Sequence, residues 1–227
     1  MTRVAILDYG MGNLRSVEKA LERVGAEAVI TDDHELARSA DGLVLPGVGA
    51  FAAAMERIGQ RGLDGLIRER VEAGVPVLGI CLGFQLLFES SSELGGAAGL
   101  GLVDGPVTGL EAEGMKVPHI GWEPVAWESE SELIEGIADG TPFYFVHSFA
   151  PRPKHAADLL GTAVHGERFG CAIARPPVYG VQFHPEKSSS DGLRLLANFS
   201  TICSAVPGTS PLNGGGAPLR PPASASQ

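Results

Sequence analysis

The sequence predicts an α/β protein with a central, mostly parallel sheet, helices on both of its faces and an antiparallel extension. Three observations carry this. Short apolar runs alternate with helix-period segments through the first half. Those runs are continuously apolar, as strands buried on both faces are. The second half changes to closely spaced strand-like runs separated by turn formers. A chain of 227 residues is long enough to bury one sizeable core.

Taken in order, Val4 to Leu7 is a buried-type strand. Asn13 precedes a helical period of Leu14, Val17, Ala20, Leu21 and Val24 that stops at Gly25. Ala28 to Thr31 and Leu43 to Leu45 read as further strands. Ala50 to Ala73 reads as helix, broken near Gly59 to Gly62. Val75 to Ile80 is a fourth strand, and a helix starts at Leu82 and runs to Phe88. Beyond it, Leu102–Leu110, Met115–Pro118, Val125–Trp127, Phe143–Val146, Leu160–Val164, Gly170–Ala174 and Val178–Phe183 are strand-like. They are expected to extend the same sheet in antiparallel or mixed fashion. A helix is expected around Ser131 to Ile137, and a last one from Asp191 to Ile202 with Leu193, Leu196, Ala197 and Phe199 inward. No repeat period is visible. The domain is expected to occupy residues 1–205. Residues 206–227 are rich in Pro, Gly, Ser and Ala and carry one charge, Arg220, so they cannot bury enough apolar surface to offset the entropy of ordering. A disordered, dispensable tail is expected there, and loss of folding on its removal would refute that.

The net charge is −10 and the acidic groups are scattered, which argues against nucleic acid as a partner. The longest apolar stretch, Val75 to Phe88, is interrupted by Pro76, Gly79, Gly83 and Gln85, so no membrane span is expected. The start has no signal-peptide layout. Three cysteines without a CxxC pair suggest free thiols in a cytoplasmic protein.

Two segments carry chemistry. Gly79-Ile80-Cys81-Leu82-Gly83-Phe84-Gln85 puts a thiol where a strand turns into a helix, between glycines that permit a tight turn. A helix N-terminus and a nearby imidazole would stabilise a thiolate there, and the Leu82 N–H would face a developing oxyanion. Gln182-Phe183-His184-Pro185-Glu186-Lys187-Ser188 puts a base and a carboxylate two residues apart. In an extended segment both side chains share a face, so His184 can meet Cys81 while Glu186 holds its far nitrogen. No further His, Cys, Asp or Glu stands at metal-ligand spacing, and neither a metal nor a cofactor is expected. Pro46-Gly47-Val48-Gly49 is either an ordinary βα turn or the source of a second oxyanion donor near Val48 or Gly49. Gly10-Met11-Gly12-Asn13-Leu14-Arg15, with Asp32 and Asp33 downstream, imitates a dinucleotide fingerprint. Arg15 in place of the third glycine argues against close helix–strand packing.

With these segments in hand, the chain resembles the class I (triad-type) glutamine amidotransferases, whose fold is flavodoxin-like. More narrowly it is similar to the glutaminase subunits of imidazole glycerol phosphate synthase, over roughly residues 3 to 203. The opening Asp8 to Val17, Pro46 to Gly49, Cys81 to Gln85, Val117-Pro118-His119-Ile120-Gly121-Trp122, Tyr144 to Phe149 and Gln182 to Ser188 carry the resemblance. It implies that Cys81 attacks the glutamine amide, His184 moves the proton and Glu186 orients His184. Gly49 and Leu82, with Val48 beside them, would form the oxyanion hole. Gln85, Glu93, His147, Ser148 and Phe149 would hold the substrate. Ammonia would pass to a (β/α)8 cyclase subunit, with Trp122 and Lys187 at that interface. Two positions depart from the pattern: Glu123 stands where asparagine is frequent, and Phe149 lacks a tyrosine hydroxyl. A subunit for another synthase, or a non-catalytic one, is disfavoured by the Gly-Trp segment and by the intact Cys81, His184 and Glu186.

Overall fold

The computed structural model describes residues 1–205; the tail expected over 206–227 lies outside the described residues. Strands β1 (Arg3–Leu7), β2 (Glu27–Thr31), β3 (Gly42–Leu45) and β4 (Val77–Ile80) alternate with helices α1 (Leu14–Arg23), α2 (His34–Arg38), α3 (Phe51–Gln60) and α4 (Leu63–Glu72). The break expected near Gly59 to Gly62 is the α3–α4 junction. After β4 come helix α5 (Leu82–Leu86) and strands β5 (Phe88–Ser91), β6 (Ala97–Ala98), β7 (Val103–Gly109), β8 (His119–Pro124), β9 (Ala126–Trp127), β10 (Pro142–His147) and β11 (Phe149–Pro151). Strands β12 (Leu159–His165), β13 (Glu167–Arg175) and β14 (Val178–Val181) and helix α6 (Ser189–Ser204) complete the order.

The main sheet has eight strands in the order β2-β1-β3-β4-β14-β13-β12-β9. It is parallel from β2 to β14 and antiparallel beyond, as the sequence predicts. Alternate residues feed two cores. Val4, Ile6, Val44 and Leu78 face α1 and α6. Ala5, Leu7, Leu43 and Val77 face α3 and α4. Burial on both faces is why these strands read as unbroken apolar runs.

Several expectations are corrected. Leu102–Leu110 and Phe143–Val146 do not extend the main sheet. The first lies in a four-stranded sheet, β11-β7-β5-β6, and the second pairs with β8 in a separate two-stranded ribbon. Met115–Pro118 is not a strand; Gly114 turns the chain with φ 73°, and pairing begins at His119. The Ser131–Ile137 helix is one 3-10 turn at Glu132–Ile134. Helix α5 ends at Leu86 because its terminal carbonyls are captured by a passing segment: Leu86 O accepts from Leu100 N and Leu87 O from Leu102 N, both at 2.8 Å. Along α6, Leu195 and Cys203 are buried with Leu196 and Phe199, while Leu193 and Ala197 are only partly covered.

Candidate active site

Strand β4 ends and α5 begins at Cys81, whose φ of 56° and ψ of −110° are those of a strained, left-handed turn. Such a conformation costs on the order of 1–3 kcal/mol and persists only where packing enforces it. The enforcement is visible: a Cβ at Gly79 would stand 2.7 Å from the Gly83 carbonyl oxygen, and one at Gly83 would collide with the Leu45 carbonyl. Leu82 opens α5, so its N–H has no intrahelical partner.

β14 lies beside β4 in parallel register, Val181 against Ile80, and Cys81 N–H donates to Val181 O at 2.8 Å. The carboxyl ends of both strands therefore deliver their loops to one place. His184 is fully buried there, and its Nδ1 lies 2.8 Å from Glu186 Oε1. The expected pairing is present, but its geometry differs. Glu186 lies in a 3-10 turn, Pro185–Lys187, and curls back onto the ring instead of sharing an extended face with it. Ser188 fixes the turn: its hydroxyl donates to His184 O at 2.7 Å and accepts from Tyr144 N at 3.0 Å.

The electrostatics favour a charged pair. Burial opposes a charge on His184, yet the neighbouring Cys81 sulfur and the Glu186 carboxylate outweigh it and raise the imidazole to about 9. Burial likewise works against ionised Glu186, but His184 and the Asn13 amide hold it below the usual carboxylate range. The Cys81 sulfur rests 3.9 Å from Val146 O and 3.8 Å from Gln182 Nε2, and His184 Nε2 has no conventional hydrogen-bond partner. Cys81 is nevertheless close enough to His184 for its sulfur to favour the imidazolium.

Cys81 opens into a cavity of about 260 Å³. Every residue expected to bind substrate or oxyanion lines it: Val48, Gly49 and Leu82 on one side, Gln85, Glu93 and the His147–Phe149 segment on the other. Gly49 has φ 113°, a conformation only glycine adopts readily. Buried Tyr9 donates its hydroxyl to Pro46 O and holds this turn; desolvation drives its phenol far above the usual range. Glu93 Oε2 accepts from Phe51 N at 2.7 Å at the start of α3. Gln85 faces inward as much as outward: its Nε2 donates to Phe149 O at 2.9 Å and to Gln182 Oε1 at 3.0 Å. His147 Nδ1 lies 2.9 Å from Phe149 O, and burial depresses its imidazole to about 3, so it is neutral. Trp122 and Lys187 are exposed and outside the cavity, both near Tyr144: the Trp122 ring is 5.9 Å and Lys187 Nζ 6.0 Å from its ring centre.

Sequence reasoning missed Asn13 and Gln182. Asn13 stands just before α1, but its side chain makes no cap; its Nδ2 donates to Glu186 Oε1 at 2.8 Å. The signal was present in the dinucleotide-like opening. Its acids have other work: Asp33 caps α2 by accepting from Glu35 and Leu36 N–H, and Asp32 pairs with Arg61 at 3.0 Å.

The model of the family described as glutamine amidotransferase class-I matches residues 5–203. The chain belongs to the class I glutamine amidotransferase family. Among curated relatives of this amidotransferase, an imidazole glycerol phosphate synthase subunit HisH of Moorella thermoacetica is 52% identical over 89% of this chain and 96% of that protein. The protein of the same name from Aquifex aeolicus is 50% identical over 87% and 95% of the two chains. A crystal structure described as glutamine amidotransferase superposes with a TM-score of 0.71 at 22% identity, covering 88% of this chain and 98% of that one, which supports the fold.

Proposed function

We propose that this amidotransferase is the glutaminase subunit of imidazole glycerol phosphate synthase, the reaction step that serves L-histidine biosynthesis. The observation that supports the reading is Cys81 opening into a cavity of about 260 Å³, with the buried His184–Glu186 pair behind it, in a chain half-identical to proteins of that name. Cys81 attacks the carboxamide carbon of L-glutamine as thiolate. The oxyanion that forms is met by Leu82 N–H and by the turn at Val48 and Gly49. His184, held as imidazolium by Glu186, gives its proton to the departing nitrogen, and ammonia leaves. The neutral His184 then takes a proton from water, which hydrolyses the thioester to glutamate and restores Cys81. Gln85, Glu93, His147, Ser148 and Phe149 shape and hold the substrate. No cofactor enters these steps.

Ammonia passes to a cyclase subunit, a (β/α)8 barrel, which makes imidazole glycerol phosphate and aminoimidazole carboxamide ribotide. Trp122 and Lys187 belong to the heterodimer interface. Neither nucleic acid nor membrane is a partner, and the complex is cytoplasmic; among the described residues no helix is long and apolar enough to cross a membrane. The test is glutamate release from glutamine by the protein alone and with the cyclase and its substrate. A large rise on adding both is expected. The Cys81→Ala variant should lose glutamine-dependent turnover while the partner keeps ammonia-dependent turnover. Absence of glutamate release under all conditions would refute the reading.

A further inference from the structure

We propose that His119, Glu123 and His165 form a binding site for a divalent transition-metal ion of the zinc class. Strand β8 carries His119 and Glu123 on one face, and β12 ends at His165 beside it. One donor atom from each residue lies within 4.8 Å of the other two, and Glu123 Oε1 is 3.6 Å from His119 Nε2. The third ligand is on a different strand far along the chain, so no short motif announces the set.

The hydrogen bonds fix which nitrogens carry protons. His147 Nδ1 faces the Phe149 carbonyl, which only accepts, so Nδ1 is the N–H and Nε2 is a lone pair. That lone pair lies 3.1 Å from His119 Nδ1, which must donate, leaving His119 Nε2 bare. His165 Nε2 faces the Lys116 carbonyl at 2.9 Å and must also donate, leaving Nδ1 bare. These two bare nitrogens are buried without a partner, on side chains 1% and 7% exposed. Two buried imidazoles, each with one unpartnered lone pair, stand in one cluster with a carboxylate, and leaving such buried nitrogens unsatisfied is costly. Protonating His119 would answer Glu123 but leave His165 Nδ1 unsatisfied. A cation answers all three.

The surroundings have the form of a metal site. Each imidazole donates its other N–H to a fixed acceptor, His147 or the Lys116 carbonyl, the support that ligating histidines receive. Two histidines and one carboxylate suit zinc and its neighbours, and the partly exposed Glu123 leaves a further position to water. The His119 and His165 rings are stacked, with centroids 4.0 Å apart and 18° between planes. Binding draws the donors together and opens this stack. It pins β8 to β12 on the face opposite Ile120 and Trp122.

The test uses the full, untagged chain in a Cys81→Ser background, which removes the competing Cys81 sulfur. Cobalt(II) is titrated and read by its visible absorption, then displaced by zinc. Stoichiometric uptake is expected, with affinity about 100-fold weaker in His165→Ala and about 10-fold weaker in Glu123→Gln. Zinc should raise the melting temperature of the parent, and less so that of Glu123→Gln. Glu123 is partly exposed, so this variant keeps the test decisive if the buried histidine variant fails to fold. No uptake at sub-millimolar cobalt, or equal affinity and equal thermal shift in the Glu123→Gln variant, would overturn the proposal.

Discussion

At the scale of single residues, the site depends on a chain of charge-assisted contacts, from Asn13 to Glu186 to His184. Glu186 stabilises the imidazolium, so Glu186→Gln should move the alkaline limb of glutaminase activity, set by loss of the His184 proton near pH 9, toward neutral pH. A pH profile of kcat/KM reads this directly, and an unmoved limb would remove the carboxylate from the mechanism. Asn13 acts through Glu186 and is a positioning residue. A hydrogen bond to a charged group is worth roughly 1.5–3 kcal/mol, so Asn13→Ala should lower kcat about 10-fold or more. KM should barely change, and Asn13→Asp should not rescue, since it sets a second carboxylate against the first. Cys81, His184 and Glu186 were legible because the chemistry needs those residue types at a strand-to-helix turn and a strand end. Asn13 and Gln182 were not, because amides carry no reactivity of their own; only the fold shows that they touch Glu186 and the Cys81 sulfur.

Among the elements, those with strong periodicity were legible and those defined by their partners were not. The α1 pattern and the buried runs of β1, β3 and β4 follow from composition alone. Strands β5 and β11 exist because β7 pairs with them, and five-residue α2 exists because Asp33 caps it. None of these has a sequence long enough to declare itself. The elbow between β4 and α5 makes the sharpest structural prediction. Gly83→Ala places a methyl group against the backbone of Leu45, which cannot rotate away. It should destabilise the fold by about 2 kcal/mol, read from the urea midpoint, and distort the turn at Cys81. The β8–β10 ribbon exposes Ile120 and Trp122 on one face and buries His119 and His147 on the other. Trp122→Glu should therefore weaken the proposed cyclase association by about 2 kcal/mol while leaving the chain folded, measurable by calorimetric titration.

For the whole molecule, the buried His184–Glu186 pair ties stability to pH. His184 is raised to about 9 from an ordinary 6.5, so the native state holds a proton that the unfolded chain releases. Its contribution is complete below pH 6.5 and disappears as pH rises to about 9. Unfolding midpoints should fall across that window in the parent and fall less in Glu186→Gln. The architecture itself was largely readable: parallel half, antiparallel extension and two covered faces follow from the order of apolar runs. The separate four-stranded sheet and the two-stranded ribbon were not, because strand identity does not say which neighbour a strand chooses. One feature of the sheet reaches into the protein's synthesis. β14, late among the described residues, is a central strand flanked by β4 and β13, and the Asn13 amide, near the beginning, donates to the Glu186 carboxylate that follows β14. A growing chain therefore stays without its middle strand until almost all of the domain has left the ribosome. Prematurely terminated products lack His184 and Glu186 together with the strand that would carry them, so incomplete copies cannot release ammonia.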